Sequence, residues 1–112
     1  MGYDRFDIVV VPFPFTDKAE TKRRPALVLS RYESFGRKAG HSVMAMITSA
    51  KNPPWPLDTQ ITDLDAAGLP VASVIRMKLF TLDHRFVLGK RGELAAKDRK
   101  AVSRALAVLL GG

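Results

Sequence analysis

The sequence predicts a mainly β protein with a C-terminal α-helix, arranged as a small antiparallel β-barrel. Several short apolar runs are rich in β-branched residues and are separated by proline and glycine turn signals, as in antiparallel β proteins. From Lys97 onward the apolar residues change to a helical period. A chain of 112 residues can bury one hydrophobic core but not two. We therefore expect residues 1–112 to form a single domain, with the helix closing an open end of the barrel.

The first two strands are predicted on either side of a long polar loop. Phe6 to Phe13 contains the continuous apolar run Ile8 to Val11, which indicates a largely buried strand. Pro12 and Pro14 end this strand, because proline cannot donate to a strand ladder. The second strand is predicted at Ala26 to Ser30. The loop between them is expected to be a long hairpin connection, which is a frequent location for binding residues.

The middle of the chain predicts further short strands with irregular connections. Lys51 to Pro56 is too rich in proline for regular structure. The predicted elements are a turn or helical piece at Tyr32–Lys38, strands at Ser42–Thr48, Leu57–Thr62, Ser73–Arg76 and Lys78–Leu82, and a turn at Gly68–Pro70.

The terminal segment predicts an amphipathic helix. Asp98 is placed where its charge favours a helix N-terminus, and Gly111 is placed to end the helix. The apolar residues that share one helical face are Val102, Ala105, Leu106, Leu109 and Leu110.

The charge balance favours a polyanionic partner. Lys and Arg number 18 against 11 Asp and Glu, which gives a net charge of +7 and an isoelectric point near 10.2. Phosphates attract such a chain whatever their sequence, so RNA, DNA or an acidic protein segment would each fit. The alternative is that the charge serves solubility alone.

The residue inventory excludes several kinds of chemistry. Without cysteine the chain cannot use disulfides, thiolates or cysteine zinc sites. His41 and His84 stand alone in loop-like contexts, so we expect no metal site, no metal cofactor and no histidine acid/base pair. Asp63 and Asp65 lie beside a turn and are expected to cap or solvate it. No Gly-rich phosphate loop or nucleophile elbow is present.

The sequence also carries no sign of a membrane span or an export signal. No apolar run approaches the length needed to cross a bilayer. The first seven residues include acids before the first hydrophobic run and lack a secretory pattern. A cytoplasmic location is therefore expected.

Three consecutive cations, Lys22 to Arg24, precede a proline and an apolar β-type run. Pro25 fixes its own φ and pushes Arg24 toward extended geometry, which gives the Arg24 side chain a preset direction. An arginine held in this way suits contact with a phosphate or a carboxylate. The alternative is an ordinary solvated loop before a strand.

One reaction can run on arginine, lysine, hydroxyls and backbone groups. RNA carries its own nucleophile, the 2′-hydroxyl, so its cleavage needs a base, an acid and cations around the phosphorane. Arg24 could stabilise that charge, and Thr48 could hold a phosphate oxygen from the end of the third strand. Thr48 could equally be a plain strand-terminating hydroxyl. DNA lacks the 2′-hydroxyl and could not be cut in this way.

Five segments in a fixed order carry a resemblance to a known family: FDIVVVPFPFTD at residues 6–17, RRPALVLS at 23–30, ITS at 47–49, SVIR at 73–76 and LFTLD at 79–83. In this arrangement the chain resembles the MazF/PemK/Kid-type toxins of bacterial toxin–antitoxin systems. The resemblance implies an SH3-like β-barrel of the CcdB/MazF type, a homodimer, and a metal-independent endoribonuclease that cuts single-stranded RNA at short sequences. It also implies an antitoxin whose acidic C-terminal segment occupies the RNA groove.

Carried over by position, the resemblance implies that Arg24 and Thr48 are catalytic, and that Arg76 serves as acid and phosphate stabiliser. Lys78 stands where relatives that use this arginine have an acidic partner, and Phe80 replaces an arginine. The residues expected to contact RNA are Phe15, Thr16, Asp17, Lys22, Arg23, Ser49 and Lys78.

Two other functions remain open from the sequence. The departures at Lys78 and Phe80 would suit a non-catalytic barrel that binds RNA or an acidic peptide. Relatives with the same barrel poison DNA gyrase, so a toxin that acts on a protein is a third hypothesis. Trp55 could stack on a nucleobase or anchor its proline-rich loop, and the sequence does not choose between these roles.

Overall fold

The computed structural model describes residues 2–13 and 22–112. Within these ranges one antiparallel sheet curls into a half-barrel, which confirms the mainly β fold with a C-terminal helix. The strands are β1 (Asp7–Phe13), β2 (Lys22–Val28), β3 (His41–Ser49), β4 (Thr59–Gln60), β5 (Ser73–Asp83) and β6 (Gly89–Glu93). The α-helices are α1 (Arg37–Ala39), α2 (Leu64–Ala67) and α3 (Ala96–Leu110), with a π-helical turn at Tyr32–Gly36 and a 3-10 turn at His84–Phe86. The strand order in the sheet is β4-β5-β3-β2-β1-β6.

The second strand begins earlier than the sequence predicts. β2 starts at Lys22 rather than Ala26 and pairs with β1 from Phe13 opposite Lys22 to Ile8 opposite Leu27. Its pairing with β3 covers only residues 26–28. Pro25 has no N–H to donate, so the ladder with β3 stops where the proline begins and the two strands separate. The basic residues therefore lie in a strand, not in a loop, and among the described residues this part of the strand pairs on one side only.

The other departures concern short elements. The strand predicted at Leu57–Thr62 is reduced to the two residues of β4. The two runs predicted at Ser73–Arg76 and Lys78–Leu82 form the single strand β5. The helix α2 and the strand β6 are not predicted, because four-residue helices and a run as polar as GKRGE carry no periodic signal.

β6 is held in place by backbone contact more than by side chains. It pairs with β1, and at Gly92 the backbone packs closely against α2, where a Cβ atom would lie 2.3 Å from the Ala66 carbonyl oxygen. Only glycine permits this approach. The contact joins α2 to the edge of the sheet and builds one wall of the candidate site described below.

Buried side chains line both faces of the sheet because consecutive strand residues alternate between faces. The larger cluster lies under α3 and the smaller one lies on the other face of β1, β2 and β3. Core members of the larger cluster include Ile8, Leu27, Ala45, Ile47, Ile75, Leu94 and Val102. The smaller cluster contains Val9, Val11, Ala26, Val28, Met44 and Leu82.

The terminal helix packs through its first half only. Val102 is fully buried and Ala105 and Leu106 pack against the larger cluster, but Leu109 and Leu110 are 41% and 70% exposed. The helix ends at Gly111, which adopts φ +75° as its predicted role requires. Within the described residues, no helix combines the length and apolar character that crossing a membrane demands.

Asp98 is buried rather than merely close to the helix N-terminus. Its carboxylate accepts hydrogen bonds from the Thr62 backbone N–H at 3.0 Å, the Thr62 hydroxyl at 2.7 Å and the Asp63 backbone N–H at 3.1 Å. This carboxylate therefore fastens α3 to the segment between β4 and α2. Asp63 in turn caps α2 by accepting from the Ala66 N–H, as its predicted capping role requires.

We expect Asp98→Ala to be the most destabilising single change in the polar part of the fold. It removes three hydrogen bonds to a charged acceptor and leaves two backbone N–H groups without partners, which should cost about 3 kcal/mol. For a domain of this size the corresponding fall in Tm is about 10 °C or more. Thermal unfolding followed by circular dichroism measures it. Asp65→Ala, at an exposed position in α2, is the matched control, and an equal effect of the two changes would refute the role of Asp98.

Candidate functional site

Arg24 lies in the first part of β2, which pairs with β1 but not with β3. It pairs opposite Val11 of β1, is partly buried, and makes no hydrogen bond or ion pair with another described residue. The preset extended geometry expected before Pro25 is therefore realised within a strand. A partly buried guanidinium without an internal partner is available to bind an external anion.

Strand register places Thr48 and Arg24 on the same face of the sheet. β2 and β3 pair Ala26 with Met46, which makes these two residues share a face. Arg24 lies two residues from Ala26 along β2, and Thr48 lies two residues from Met46 along β3, so each keeps the face of its neighbour. Both side chains therefore leave the sheet on the same side.

Arg76 shares that face from the next strand. It pairs opposite Met46, and Thr48 pairs opposite Val74, so Arg76 is two residues along β5 from the partner of Thr48. Standard strand geometry puts the Cα atoms of Arg76 and Thr48 about 8 Å apart. The three residues that the sequence suggests as catalytic thus lie on one face of three adjacent strands.

The acidic partner that Lys78 seemed to have replaced comes from a different segment. Arg76 Nε and Nη2 donate to the two carboxylate oxygens of Asp58 at 3.2 and 2.9 Å, and Nη2 also donates to the Pro53 carbonyl oxygen at 2.8 Å. The side chains of Arg76 and Asp58 are only 12% and 17% exposed. This bidentate pair fixes the direction of the guanidinium.

The pair remains charged because each partner favours the ionised form of the other. Hydrogen bonding from Arg76 is the main cause that lowers the pKa of Asp58 from its ordinary value of 3.8, against an opposing effect of burial. The same hydrogen bond raises the pKa of Arg76 above its ordinary value. The guanidinium therefore offers a permanent positive charge on the shared face.

The segment after β3, residues 50–58, connects Thr48 to Arg76. Asn52 Nδ2 donates to the Thr48 hydroxyl oxygen at 2.5 Å. Because that oxygen already accepts a hydrogen bond, the hydroxyl hydrogen of Thr48 is left to donate outward. Asn52 therefore sets the direction in which Thr48 can donate.

A cleft of about 270 Å³ adjoins the ends of β2 and β3. Its walls combine cationic and hydroxyl residues with an apolar turn that follows α2. The lining residues are Val10, Arg23, Arg24, Pro25, Ile47, Thr48, Ser49, Leu69, Pro70, Val71, Ser73 and Arg91. Arg24 and Thr48 belong to this lining, whereas Arg76 does not. Arg76 is related to them by its position on the same face of the sheet.

Arg91 was missed by the sequence reasoning as a site residue. Across β1 and β6, Ile8 pairs with Gly92 while Val9 pairs with Lys90, so Arg91 is the extra residue of a β-bulge. Bulges redirect a side chain relative to the regular pleat. No sequence signal distinguishes Arg91 from the other basic residues near it, because the bulge depends on the pairing of β1 with β6.

The residues expected to contact RNA are placed unevenly. Lys22 is exposed at the start of β2, and Arg23 and Ser49 line the cleft. Lys78 lies in a second bulge, since Ala45 pairs with Leu79 while Met46 pairs with Arg76, and its Nζ stands 4.6 Å from the centre of the Trp55 ring. Phe15, Thr16 and Asp17 lie outside the described residues.

The histidines make contacts within the fold, away from the cleft lining. His84 Nε2 lies 2.7 Å from the Ser42 hydroxyl, and the ring of Tyr3 meets the His84 ring edge-on at 5.6 Å. His41 Nδ1 lies 2.8 Å from the Ala39 carbonyl oxygen. Among residues 2–13 and 22–112, no three His, Asp or Glu side chains are grouped as ligands for a metal ion.

His84 should make stability depend on pH. Burial is the main cause that lowers its pKa below 6.5 in the folded state. As the pH falls, His84 is therefore protonated in the unfolded chain before it is protonated in the folded protein. The free energy of unfolding should decrease as the pH is lowered below 6.5. We expect Tm to fall over this range in the parent protein and less in His84→Gln. His41→Gln is the control, and an unchanged slope in His84→Gln would contradict this assignment.

The fold and this site together define a class: a small half-barrel that presents arginines and a hydroxyl on one face, beside a basic cleft. The family model described as the PemK-like, MazF-like toxin of type II toxin–antitoxin systems matches residues 4–110. The chain belongs to this toxin family. A comparison with curated proteins finds no match.

Solved structures support the assignment of the fold. MazF from Deinococcus radiodurans is 24% identical with a TM-score of 0.77, and the match covers 100% of this chain and 99% of that one. A MazE–MazF complex from the same organism is 25% identical with a TM-score of 0.75, covering 99% and 97% of the two chains. An endoribonuclease in complex with its cognate antitoxin, from a mycobacterial species, is 17% identical with a TM-score of 0.77, covering 97% and 95%.

Proposed function

We propose that residues 1–112 form a single toxin domain that cuts single-stranded RNA by using the 2′-hydroxyl of the RNA as nucleophile. The observation that carries this proposal is the common face of Arg24, Thr48 and Arg76 on three adjacent strands. Two arginine cations and one hydroxyl on a common face suit a phosphate and its neighbours. Family membership supports the proposal, since structural relatives include endoribonucleases.

The RNA supplies the nucleophile of the proposed reaction, and a base and an acid act beside the three residues named above. The 2′-oxygen attacks the adjacent phosphorus and the bond from phosphorus to the 5′-oxygen breaks. The attacking hydroxyl loses its proton to a base, and the leaving 5′-oxygen gains one from an acid. The products are a 2′,3′-cyclic phosphate and a 5′-hydroxyl, and negative charge accumulates on the non-bridging oxygens in the transition state.

Each of the three residues has a role that follows from its surroundings. Arg24 has no described partner, so it can place its guanidinium on the phosphate oxygens when charge develops. The Thr48 hydroxyl oxygen accepts a hydrogen bond from Asn52, and its hydrogen can be donated to one of these phosphate oxygens. Arg76 is held by Asp58 and supplies a fixed positive charge at the side of the site, from which it can stabilise the phosphate or the leaving oxygen.

Basic residues around these three would hold the RNA strand. Arg91 and Arg23 line the cleft, and Lys22 of β2 and Lys78 of β5 are exposed. Phosphate contacts of this kind supply affinity without sequence preference. Base preference would then come from other contacts, for which the loop residues Phe15, Thr16 and Asp17 remain predictions.

The partners proposed for this chain are an antitoxin and a second copy of itself. MazF of Deinococcus radiodurans forms a complex with MazE, and a mycobacterial relative binds its cognate antitoxin. An antitoxin with an acidic C-terminal segment would be attracted to the same basic cleft and would exclude RNA from it. Pairing of two copies would cover exposed strand edges and lengthen the RNA-binding groove.

The test is cleavage of long single-stranded RNA by the purified protein in EDTA, with the new ends mapped by sequencing. Discrete ends at a recurring short sequence are expected, and single-stranded DNA should stay intact. RNA that is bound but uncut would replace the proposal by a non-catalytic binding module. Uncut RNA with inhibition of DNA gyrase would point to a toxin that acts on a protein.

A further inference from the structure

The segment between β3 and β4 presents an aromatic ring to solvent beside the candidate site. Trp55 is the single tryptophan of the chain, and its side chain is 43% exposed. Pro53, Pro54 and Pro56 restrict the backbone around it. A ring held in this way can bind a flat partner with little further loss of conformational entropy.

Side-chain contacts hold the segment at both ends. Asp58 accepts from the Trp55 backbone N–H at 3.0 Å while it pairs with Arg76, and Arg76 also binds the Pro53 carbonyl oxygen. The backbone at Trp55 is therefore held by the same carboxylate that fixes Arg76. These bonds join the segment that carries the ring to the face that holds Arg76.

Lys78 places an exposed cation beside this ring. Its exposed Nζ lies 4.6 Å from the centre of the Trp55 ring, and it forms no ion pair with another described residue. The bulge in β5 aims it toward the ring instead of along the regular pleat. An exposed lysine on an aromatic face can exchange this weak contact for a phosphate when a nucleotide binds.

The segment that carries the ring is linked to both Thr48 and Arg76. Asn52, three residues before Trp55, donates a hydrogen bond to the Thr48 hydroxyl. The Cζ atom of Arg76 lies 5.7 Å from the centre of the Trp55 ring. A strand of RNA with one phosphate at Thr48 would therefore bring a neighbouring nucleotide to the ring. Stacking suits any base, because every base has a π face.

We propose that Trp55 and Lys78 form a nucleotide subsite next to the candidate cleavage site, in which the indole stacks on a flanking base and the lysine binds its phosphate. The inference rests on the proposed function, because it assumes that RNA lies across Arg24 and Thr48. It assigns Trp55 to base stacking rather than to anchoring its loop alone. It also gives Lys78, which departs from the family pattern, a role in holding substrate.

Intrinsic fluorescence gives a direct test, because every photon of indole emission comes from Trp55. The probe is a short single-stranded RNA with 2′-O-methyl groups, which lacks the nucleophile and stays uncut. Labelled at one end, it reports total binding by anisotropy while Trp55 reports stacking. We expect saturable quenching of Trp55 with the same midpoint as the anisotropy change. Replacing one flanking base by an abasic unit should remove the quenching and weaken total binding by about tenfold, the same loss as in Trp55→Ala.

Variants separate the subsite from general charge and from loop stability. Trp55→Ala should weaken binding about tenfold, while Trp55→Phe, which keeps a stacking ring, should retain most of the affinity. Lys78→Gln should reduce the slope of log binding affinity against log salt concentration by about one, as expected for one lost phosphate contact. Lys100→Gln, at an exposed position in α3, should leave this slope unchanged.

Each outcome bears on a different claim. Anisotropy that shows binding without any change in Trp55 emission overturns the subsite but leaves the proposed ribonuclease standing, as does equal weakening by Lys78→Gln and Lys100→Gln. No binding by either readout, together with uncut RNA in EDTA, overturns both. Quenching by poly-glutamate but not by the oligonucleotide would assign the ring to an acidic peptide and also overturn the proposal.

Discussion

Arg24→Ala is expected to lower the rate of RNA cleavage by about a thousandfold while the protein stays folded. The loss follows from removing a partly buried site arginine that has no partner among the described residues and can therefore meet charge in the transition state. Since no described acceptor depends on Arg24, the free energy of unfolding should change by less than about 0.5 kcal/mol. Single-turnover cleavage of a labelled RNA measures the first effect, and thermal unfolding measures the second.

Two further variants define what Arg24 contributes. Arg24→Lys keeps the charge but not the planar fork, so it should recover only part of the rate. Arg104→Ala removes an exposed arginine of α3 outside the cleft lining and should cut RNA as the parent protein does. Parental cleavage by Arg24→Ala would remove Arg24 from the mechanism, however well the variant folds.

Thr48→Val should reduce cleavage by about a hundredfold, the usual cost of losing one preorganised donor to a phosphate or an oxyanion. Valine keeps the shape and β preference of threonine, so β3 and its pairing should persist. Thr48→Ser keeps a hydroxyl and is the matched control. If valine and serine are equally active, the hydroxyl of Thr48 has no part in the reaction.

Asn52 and Arg24 provide internal checks on that result. Asn52→Ala should lower the rate by a smaller factor, because it releases the orientation of the Thr48 hydroxyl but leaves the donor present. If Arg24 and Thr48 act on the same phosphate, the double variant should lose less than the product of the two single losses. Losses that multiply fully would show that the two residues act on separate steps or separate groups.

Regular features of the fold could be predicted from local sequence, because each depends on neighbouring residues. The apolar run Ile8–Val11, the prolines around residue 55 and the helical period after Lys97 each report a local preference that the fold keeps. Gly111 and Asp63 likewise act through their own turns. Resemblance to a family then supplied the curled sheet, which the family comparison confirms.

The features that escaped prediction depend on pairing between distant segments. Arg91 reaches the cleft because β6 slips by one residue against β1, and Lys78 reaches Trp55 because β5 carries two extra residues against β3. Arg76 forms its ion pair with Asp58, from the segment that precedes β4, and not with the residue at position 78 of its own strand. Register shifts leave no periodic mark in a single sequence, so only the folded arrangement reveals them.

The most direct test of the central claim is a single 2′-deoxy substitution in an RNA oligonucleotide, at the nucleotide whose 2′-oxygen would attack at a mapped cleavage site. We expect this oligonucleotide to bind with nearly the affinity of the all-RNA strand and not to be cut at that position. The unmodified strand should be cut there in EDTA and leave a 5′-hydroxyl. Cleavage of the substituted strand at the same position would show that the 2′-hydroxyl is not the nucleophile and would contradict the proposed mechanism.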